Sequence, residues 1–152
     1  MLGKKQSAQP KTPVHRGPWR AVTHVVDGDT IILDGNERVR LIGVDTPETV
    51  HSRQPIQYLG KEVSAFTKRM VDGKKIQLEY DRTLKDRYGR TLAHVYLEDG
   101  IHLNVEILKQ GYGYAYTCFP FRYLEEFRQL ERKAREPPRG LWKEDPREKT
   151  RP

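Results

Sequence analysis

The sequence predicts an α+β domain, a five-stranded barrel with three α-helices, on three observations. Runs rich in β-branched and aromatic residues recur between positions 19 and 97 and are interrupted once by a stretch with helical spacing. Two further helical patterns follow, and glycine, asparagine and aspartate stand at the joins. With 152 residues and 36% hydrophobic content, the chain has material for one modest core and no room for several.

The elements follow in order. Residues 19–26 and 30–33 are expected strands, and Asp34-Gly35-Asn36 supplies residues that tolerate positive φ before a third strand over 37–44. A three-stranded meander results. Residues 60–71 place Val63, Phe66, Thr67 and Met70 on one helical face, and Asp72-Gly73 ends the helix with a glycine suited to a left-handed cap. Residues 75–80 and 90–97 are the fourth and fifth strands, flanking a charged connection over 81–89. A short helix over 103–110 stops at Gly111. A longer one over 123–135 puts Leu124, Phe127, Leu130 and Ala134 on one face before Pro137-Pro138. Five strands with a helix between the third and fourth is the connectivity of the OB-fold, a small Greek-key barrel. Residues 1–18 are polar and basic and read as a disordered leader. The domain spans 19–143, and 144–152 form a disordered tail.

Charge is unevenly placed. The formal total is +7, but residues 1–20 contribute five basic and no acidic groups, and residues 132–152 contribute eight basic and four acidic groups. The centre, residues 21–131, is therefore 7 − 5 − 4 = −2. Phosphate affinity in the folded part cannot come from bulk charge; individual arginines or a bound cation must supply it. The basic ends add nonspecific attraction to polyanions. Cys118 is the single cysteine, so no internal disulfide forms and the thiol is expected to be free and partly buried. No apolar run is long enough for a membrane-spanning helix, and the start Met1-Leu2-Gly3-Lys4-Lys5 lacks the pattern of a secretory signal. The compartment stays open on these grounds.

Three short stretches concentrate chemistry at strand edges: Asp27-Gly28-Asp29-Thr30, the run from Val39 through Asp45-Thr46-Pro47-Glu48-Thr49, and Asp86-Arg87-Tyr88-Gly89-Arg90. Asp29 precedes the second strand and Asp45 follows the third. A hairpin pairing of the two strands brings both carboxylates to one end of the sheet. Asp-Gly-Asp alone is more often a turn than a site. Glu48, however, adds a carboxylate near Asp45 with no capping task, and crowded acids suggest a cation or a proton-transfer role. Carboxylates with a backbone carbonyl suit a hard cation. A flexible, partly hydrated site favours Ca²⁺ over Mg²⁺, although spacing does not decide between them. Arg40 lies in an otherwise apolar strand, either as a structural ion pair with Asp29 or Asp45 or as a group reaching an opening. Arg90 stands at a strand entry behind a glycine that can turn the backbone to aim it. Together these are the groups phosphodiester hydrolysis requires: metal and guanidinium forks for the developing negative charge, and a glutamate, Glu48, to take a proton from water.

In these motifs the chain resembles the staphylococcal nuclease (thermonuclease) family. The resemblance runs from about Trp19 to Trp142 and includes the spacing from Thr49 to Ser64-Ala65-Phe66-Thr67-Lys68 and the closing Arg139-Gly140-Leu141-Trp142. It implies that Asp29, Asp45 and the Thr46 carbonyl bind Ca²⁺, that Glu48 acts on the attacking water, and that Arg40 and Arg90 contact the reacting phosphate. It further implies cleavage of DNA and RNA, single strands preferred, on the 5′-oxygen side to leave 3′-phosphate ends. Secretion, or a place in the periplasm or cell envelope, is implied as well, and nothing in the sequence points to anything but a monomer. Tyr88 matches a tyrosine near the bound nucleotide's phosphate. The chain departs from the family at Thr117 and Phe119, which stand at the places of two base-pocket tyrosines. Tyr116 or Phe119 can still offer a stacking face, worth roughly 1 to 3 kcal/mol per base. The alternative to an enzyme is an OB-type module that holds single strands without cutting them. Asp29, Asp45 and Glu48 argue against it, because acids facing a polyanion weaken binding unless a cation intervenes.

Overall fold

The computed structural model describes residues 15–48 and 58–143. Residues 1–14 of the expected leader, the Thr49 end of the second motif and the expected tail from 144 lie outside the described residues. The elements are β1 (His15–Asp27), β2 (Thr30–Leu33), β3 (Arg38–Leu41), β4 (Val44–Asp45), α1 (Gly60–Val71), β5 (Lys75–Lys85), β6 (Thr91–Leu97), α2 (Leu103–Lys109), β7 (Tyr114–Ala115) and α3 (Leu124–Arg135). Single 3₁₀ turns occupy Asp34–Asn36 and Gly140–Trp142. Five strands close into a barrel in the order β1-β2-β3-β6-β5, giving the expected OB-type α+β fold with three α-helices. All neighbours are antiparallel except β3 and β6, whose parallel pairing (Val39↔Thr91, Arg40↔Leu92) closes the barrel.

Alternation explains the barrel's interior. Ile31 and Leu33, Val39 and Leu41, Ile76 and Leu78, and Ala93 and Val95 point inward at every second position and are buried. Each large aliphatic contributes about 1.5–3 kcal/mol on leaving water. Leu103, Ile107 and Leu108 of α2 and Phe127 of α3 join the same core. On α1, Val63 and Thr67 of the expected stripe are buried, and Gly73 (φ +72°) follows the Asp72 cap as its position suggested.

Three strands differ from expectation. β1 begins at His15 rather than Trp19. Pro18 cannot donate to a ladder, but pairing resumes beyond it as Arg16↔Glu79 and His15↔Tyr80, across an irregularity between Arg16 and Trp19. β5 runs on to Lys85 instead of stopping at Tyr80, because Lys85 pairs again with Thr91 after a break in register. The third strand, expected to be continuous to Val44, is cut at Ile42-Gly43. Gly43 takes φ +77°, and a Cβ there would lie 2.5 Å from Phe121 and 2.7 Å from Phe127. The chain leaves the barrel at this glycine and starts β4, which pairs with β7 as a separate two-stranded sheet. Buried Asn104 fixes the corner: its amide donates to the Ile42 carbonyl at 2.9 Å, and its oxygen accepts the Val95 N–H at 3.0 Å.

Candidate active site

Asp29 sits in the turn between β1 and β2, and α1 holds that turn. Thr67 Oγ1 donates to the Gly28 carbonyl at 2.8 Å. The approach is so close that a Cβ on Gly28 would lie 2.5 Å from Val63. The buried Asp29 carboxylate is oriented from both sides: Oδ1 accepts from Thr30 Oγ1 at 2.9 Å, and Oδ2 accepts the Thr46 backbone N–H at 3.0 Å. The hairpin register Thr30↔Arg40 then sets Arg40 alongside. Arg40 Nη1 lies 3.4 Å from Asp29 Oδ2, and Nη2 lies 3.7 Å from Asp45 Oδ1. Nη1 also donates to the carbonyls of Leu41 at 3.0 Å and Val44 at 2.5 Å. One guanidinium thus bridges the two acids, which realises the ion-pair reading of Arg40 with both candidate partners and leaves open a further role in binding phosphate.

Asp45 lies just beyond the Gly43 corner, and its backbone is held through the Val44↔Ala115 and Asp45↔Tyr114 pairs of β4 and β7. Although its side chain reaches solvent, partial burial pushes its carboxyl above the usual range. The Arg40 charge opposes that shift, and the charges of Asp29 and Glu48 add to it. Glu48 is exposed and near enough to Asp45 for its charge to be felt there. The site thus holds two acids on one arginine with Glu48 near Asp45; Asp29 is buried and the other two acids are at the surface.

The remaining residues expected at the site fall into two groups. Tyr116 is exposed with its ring 5.8 Å from the Arg40 guanidinium, and Phe119 lies edge-on 6.3 Å from Tyr116, partly buried against the core. Arg90 and Tyr88 sit on the turn between β5 and β6. Tyr88 is 69% exposed and flanked by the guanidinium groups of Arg87 at 5.1 Å and Arg90 at 5.6 Å. Strand register relates the two groups: Arg90 precedes Thr91, which pairs with Val39, and Val39 precedes Arg40.

The donors near Asp29 suit a hard cation. Asp29, Asp45 and the Thr46 carbonyl present only oxygen, and Thr46 Oγ1 is a further buried oxygen with no hydrogen-bond partner among the described residues. No three His, Cys, Asp or Glu side chains among the described residues group as metal ligands. Sequence reasoning passed over three supporting residues. Thr30 adjoins Asp29 and was legible as a local hydroxyl donor. Thr67 looked like core. Asp86 was noticed in its motif but had no role.

A closed OB-type barrel with acids and an arginine gathered where β2, β3 and β4 meet defines an α+β protein with a polar, cation-compatible site at its edge. The staphylococcal nuclease homologue family model matches residues 38–144. The chain belongs to the staphylococcal nuclease family. It is 46% identical over 133 residues to a thermonuclease of Staphylococcus intermedius, covering 84% of this chain and 77% of that one. To a thermonuclease of Staphylococcus hyicus it is 44% identical over 125 residues, covering 80% and 73%. To endonuclease YhcR of Bacillus subtilis it is 32% identical over 152 residues, covering 90% of this chain but 12% of that protein.

Proposed function

We propose that the protein is a Ca²⁺-dependent nuclease that hydrolyses phosphodiester bonds of DNA and RNA, prefers single strands, and cuts on the 5′-oxygen side to leave 3′-phosphate ends. The observation that carries this reading is Arg40 held between Asp29 and Asp45 with Glu48 beside them. Such a group repels a polyanion unless a cation joins it. Likeness to thermonucleases and to an endonuclease supports the same class.

Asp29, Asp45 and the Thr46 carbonyl would hold the cation. When bound, Ca²⁺ supplies positive charge against a phosphoryl oxygen. Glu48, exposed and close enough to Asp45 for its charge to be felt there, takes the proton of the attacking water. Arg40 and Arg90 set their guanidinium groups against the oxygens that gain charge as the P–O5′ bond breaks. The products are a 3′-phosphate and a 5′-hydroxyl, whose oxygen receives a proton. Tyr88 contacts the phosphate side of the nucleotide, and Tyr116 and Phe119 offer faces to unstacked bases, which favours single strands. The protein acts as a monomer outside the cytoplasm, secreted or in the periplasm or cell envelope, as the family resemblance suggests. Among the described residues no helix is long and apolar enough to cross a membrane.

The test incubates purified protein with single-stranded DNA and RNA under Ca²⁺, Mg²⁺ or chelator, with Glu48→Gln and Arg40→Ala alongside. Expected is Ca²⁺-dependent cutting that Glu48→Gln reduces by on the order of 10²- to 10⁴-fold in kcat. Full activity in both variants, or none in the parent with any divalent ion, overturns the reading. Strand retention without cutting in Ca²⁺ would favour the binding module.

A further inference from the structure

The turn that presents Arg90 is built around one carboxylate. Asp86 Oδ1 accepts the backbone N–H groups of Tyr88 and Arg90, both at 2.9 Å. Asp86 Oδ2 accepts from Arg90 Nε at 2.7 Å. The main chain of Asp86 is engaged too: its N–H donates to the Arg90 carbonyl at 3.0 Å, and its carbonyl accepts from Gly89 N–H at 3.1 Å. One carboxylate oxygen therefore builds the turn, and the other grips the side chain the turn carries.

The grip is selective. Nε is the inner nitrogen of the guanidinium, and among the described residues neither Nη of Arg90 makes a hydrogen bond or ion pair. Tethering Nε leaves both outer nitrogens as a fork of the kind that matches a phosphate. The Asp86 side chain is 18% exposed, so water competes poorly for Oδ2. Burial alone would raise its carboxyl's pKa, but the donors from Arg90 and Tyr88 outweigh it and hold the group below the usual carboxylate range.

We propose that Asp86 is a positioning residue for phosphodiester hydrolysis: by holding Nε it fixes the Arg90 guanidinium with its two Nη donors directed at the reacting phosphate. The proposal rests on the reading of Arg90 as a phosphate contact. Its physical effect is to remove rotamer freedom that an untethered arginine would lose only in the transition state.

Asp86→Asn separates aim from architecture. An amide oxygen at Oδ1 still accepts both backbone N–H groups, while an amide nitrogen at Oδ2 meets the Nε–H donor to donor. The experiment measures kcat, KM and Tm for wild type, D86N, R90A and the double variant on single-stranded DNA with saturating Ca²⁺. Expected for D86N is a kcat loss on the order of 10- to 100-fold, with KM near wild type, a Tm lowered only by the lost Arg90 ion pair, and no further loss of kcat in the R90A background. Wild-type kcat in D86N while R90A is impaired overturns the inference and leaves the nuclease reading standing, as does a double variant whose losses multiply. Full kcat in R90A, or no cutting by wild type, overturns both. Should D86N fail to fold, the Arg90 Nε–H resonance of wild type decides: slow solvent exchange supports the tether, and exchange as fast as that of a surface arginine overturns it.

Discussion

Arg40 Nη1 stands 3.4 Å from Asp29 Oδ2, so the arginine occupies the side of the carboxylate left open by Thr30 and Thr46. Without a metal, Arg40 is the counter-ion that lets Asp29 and Asp45 lie near each other. On the function proposed above, a bound cation would take over that task and leave the guanidinium to an incoming phosphate. The acids and the arginine are then alternative partners within one charge balance.

Replacing Arg40 should therefore affect both fold and rate. Arg40→Ala is expected to lower kcat by on the order of 10²- to 10³-fold and to lower Tm in chelator, because two acids lose their partner. Arg40→Lys should restore Tm more than kcat, since an ammonium can neutralise charge but cannot present a planar fork. Steady-state kinetics paired with thermal melts check this, and equal recovery of both quantities would contradict it.

The acids should trade stability for metal affinity. A carboxyl with a raised folded pKa is destabilising above that pKa, because the fold disfavours its charged form. Asp45 is such a group. Asp45→Asn is accordingly expected to melt higher than wild type at neutral pH in chelator and lower in saturating Ca²⁺. Asp29→Asn should raise the Ca²⁺ concentration needed for half-maximal activity, as one ligand charge is removed. An unchanged Ca²⁺ titration for both variants would remove these residues from the ligand set.

Mild acid should weaken the fold through His102. Burial, and then the charges of His94 and Arg16, depress this imidazole to about 3, and its ring stacks on Tyr96 with centroids 4.4 Å apart. The folded pKa lies below the unfolded one. This contribution is thus complete above the ordinary histidine value and is lost as pH falls toward the folded pKa. Between roughly pH 6 and pH 4 the loss should approach about 1 kcal/mol per pH unit. His102→Phe keeps the stack and should flatten this part of the profile in urea titrations. A variant as acid-sensitive as wild type would count against the assignment.

Gly43→Ala should be among the most damaging small substitutions. It adds a Cβ 2.5 Å from Phe121 at a positive φ, and clash and backbone strain together are expected to cost about 2–4 kcal/mol. Because the same corner launches β4, activity should fall more than the unfolded fraction explains. Denaturant curves and specific activity at a temperature where the variant is folded give the comparison.

Much of the fold was legible because local patterns agreed with the tertiary result. α1 occupies residues 60–71 as its apolar stripe indicated, and β2 occupies 30–33. The strand break at Gly43 was not legible, since 39–44 is unbroken in β propensity and only the packing of Phe121 and Phe127 shows why the glycine is there. The neighbouring carboxylates were legible from strand edges, as Asp29 and Asp45 flank one hairpin. What holds them was not: Thr67 reaches Gly28 across 39 positions and Asn104 reaches Ile42 across 62, and no local spacing encodes such contacts. For Asp86 the signal was present, four residues before Arg90, but a carboxylate in a charged turn reads equally well as solvated.

The parallel seam between β3 and β6 orders the steps of assembly as the protein is made. Val39 and Thr91 are 52 positions apart, and β7, which pins the segment bearing Asp45, begins only at Tyr114. A growing chain that has displayed every acid of the site still lacks its second arginine, and after Arg90 emerges it still lacks the strand beside Asp45. The geometry that sets Arg90 beside the β3 strand and pins the backbone of Asp45 is thus completed only by segments that follow the acids in the chain.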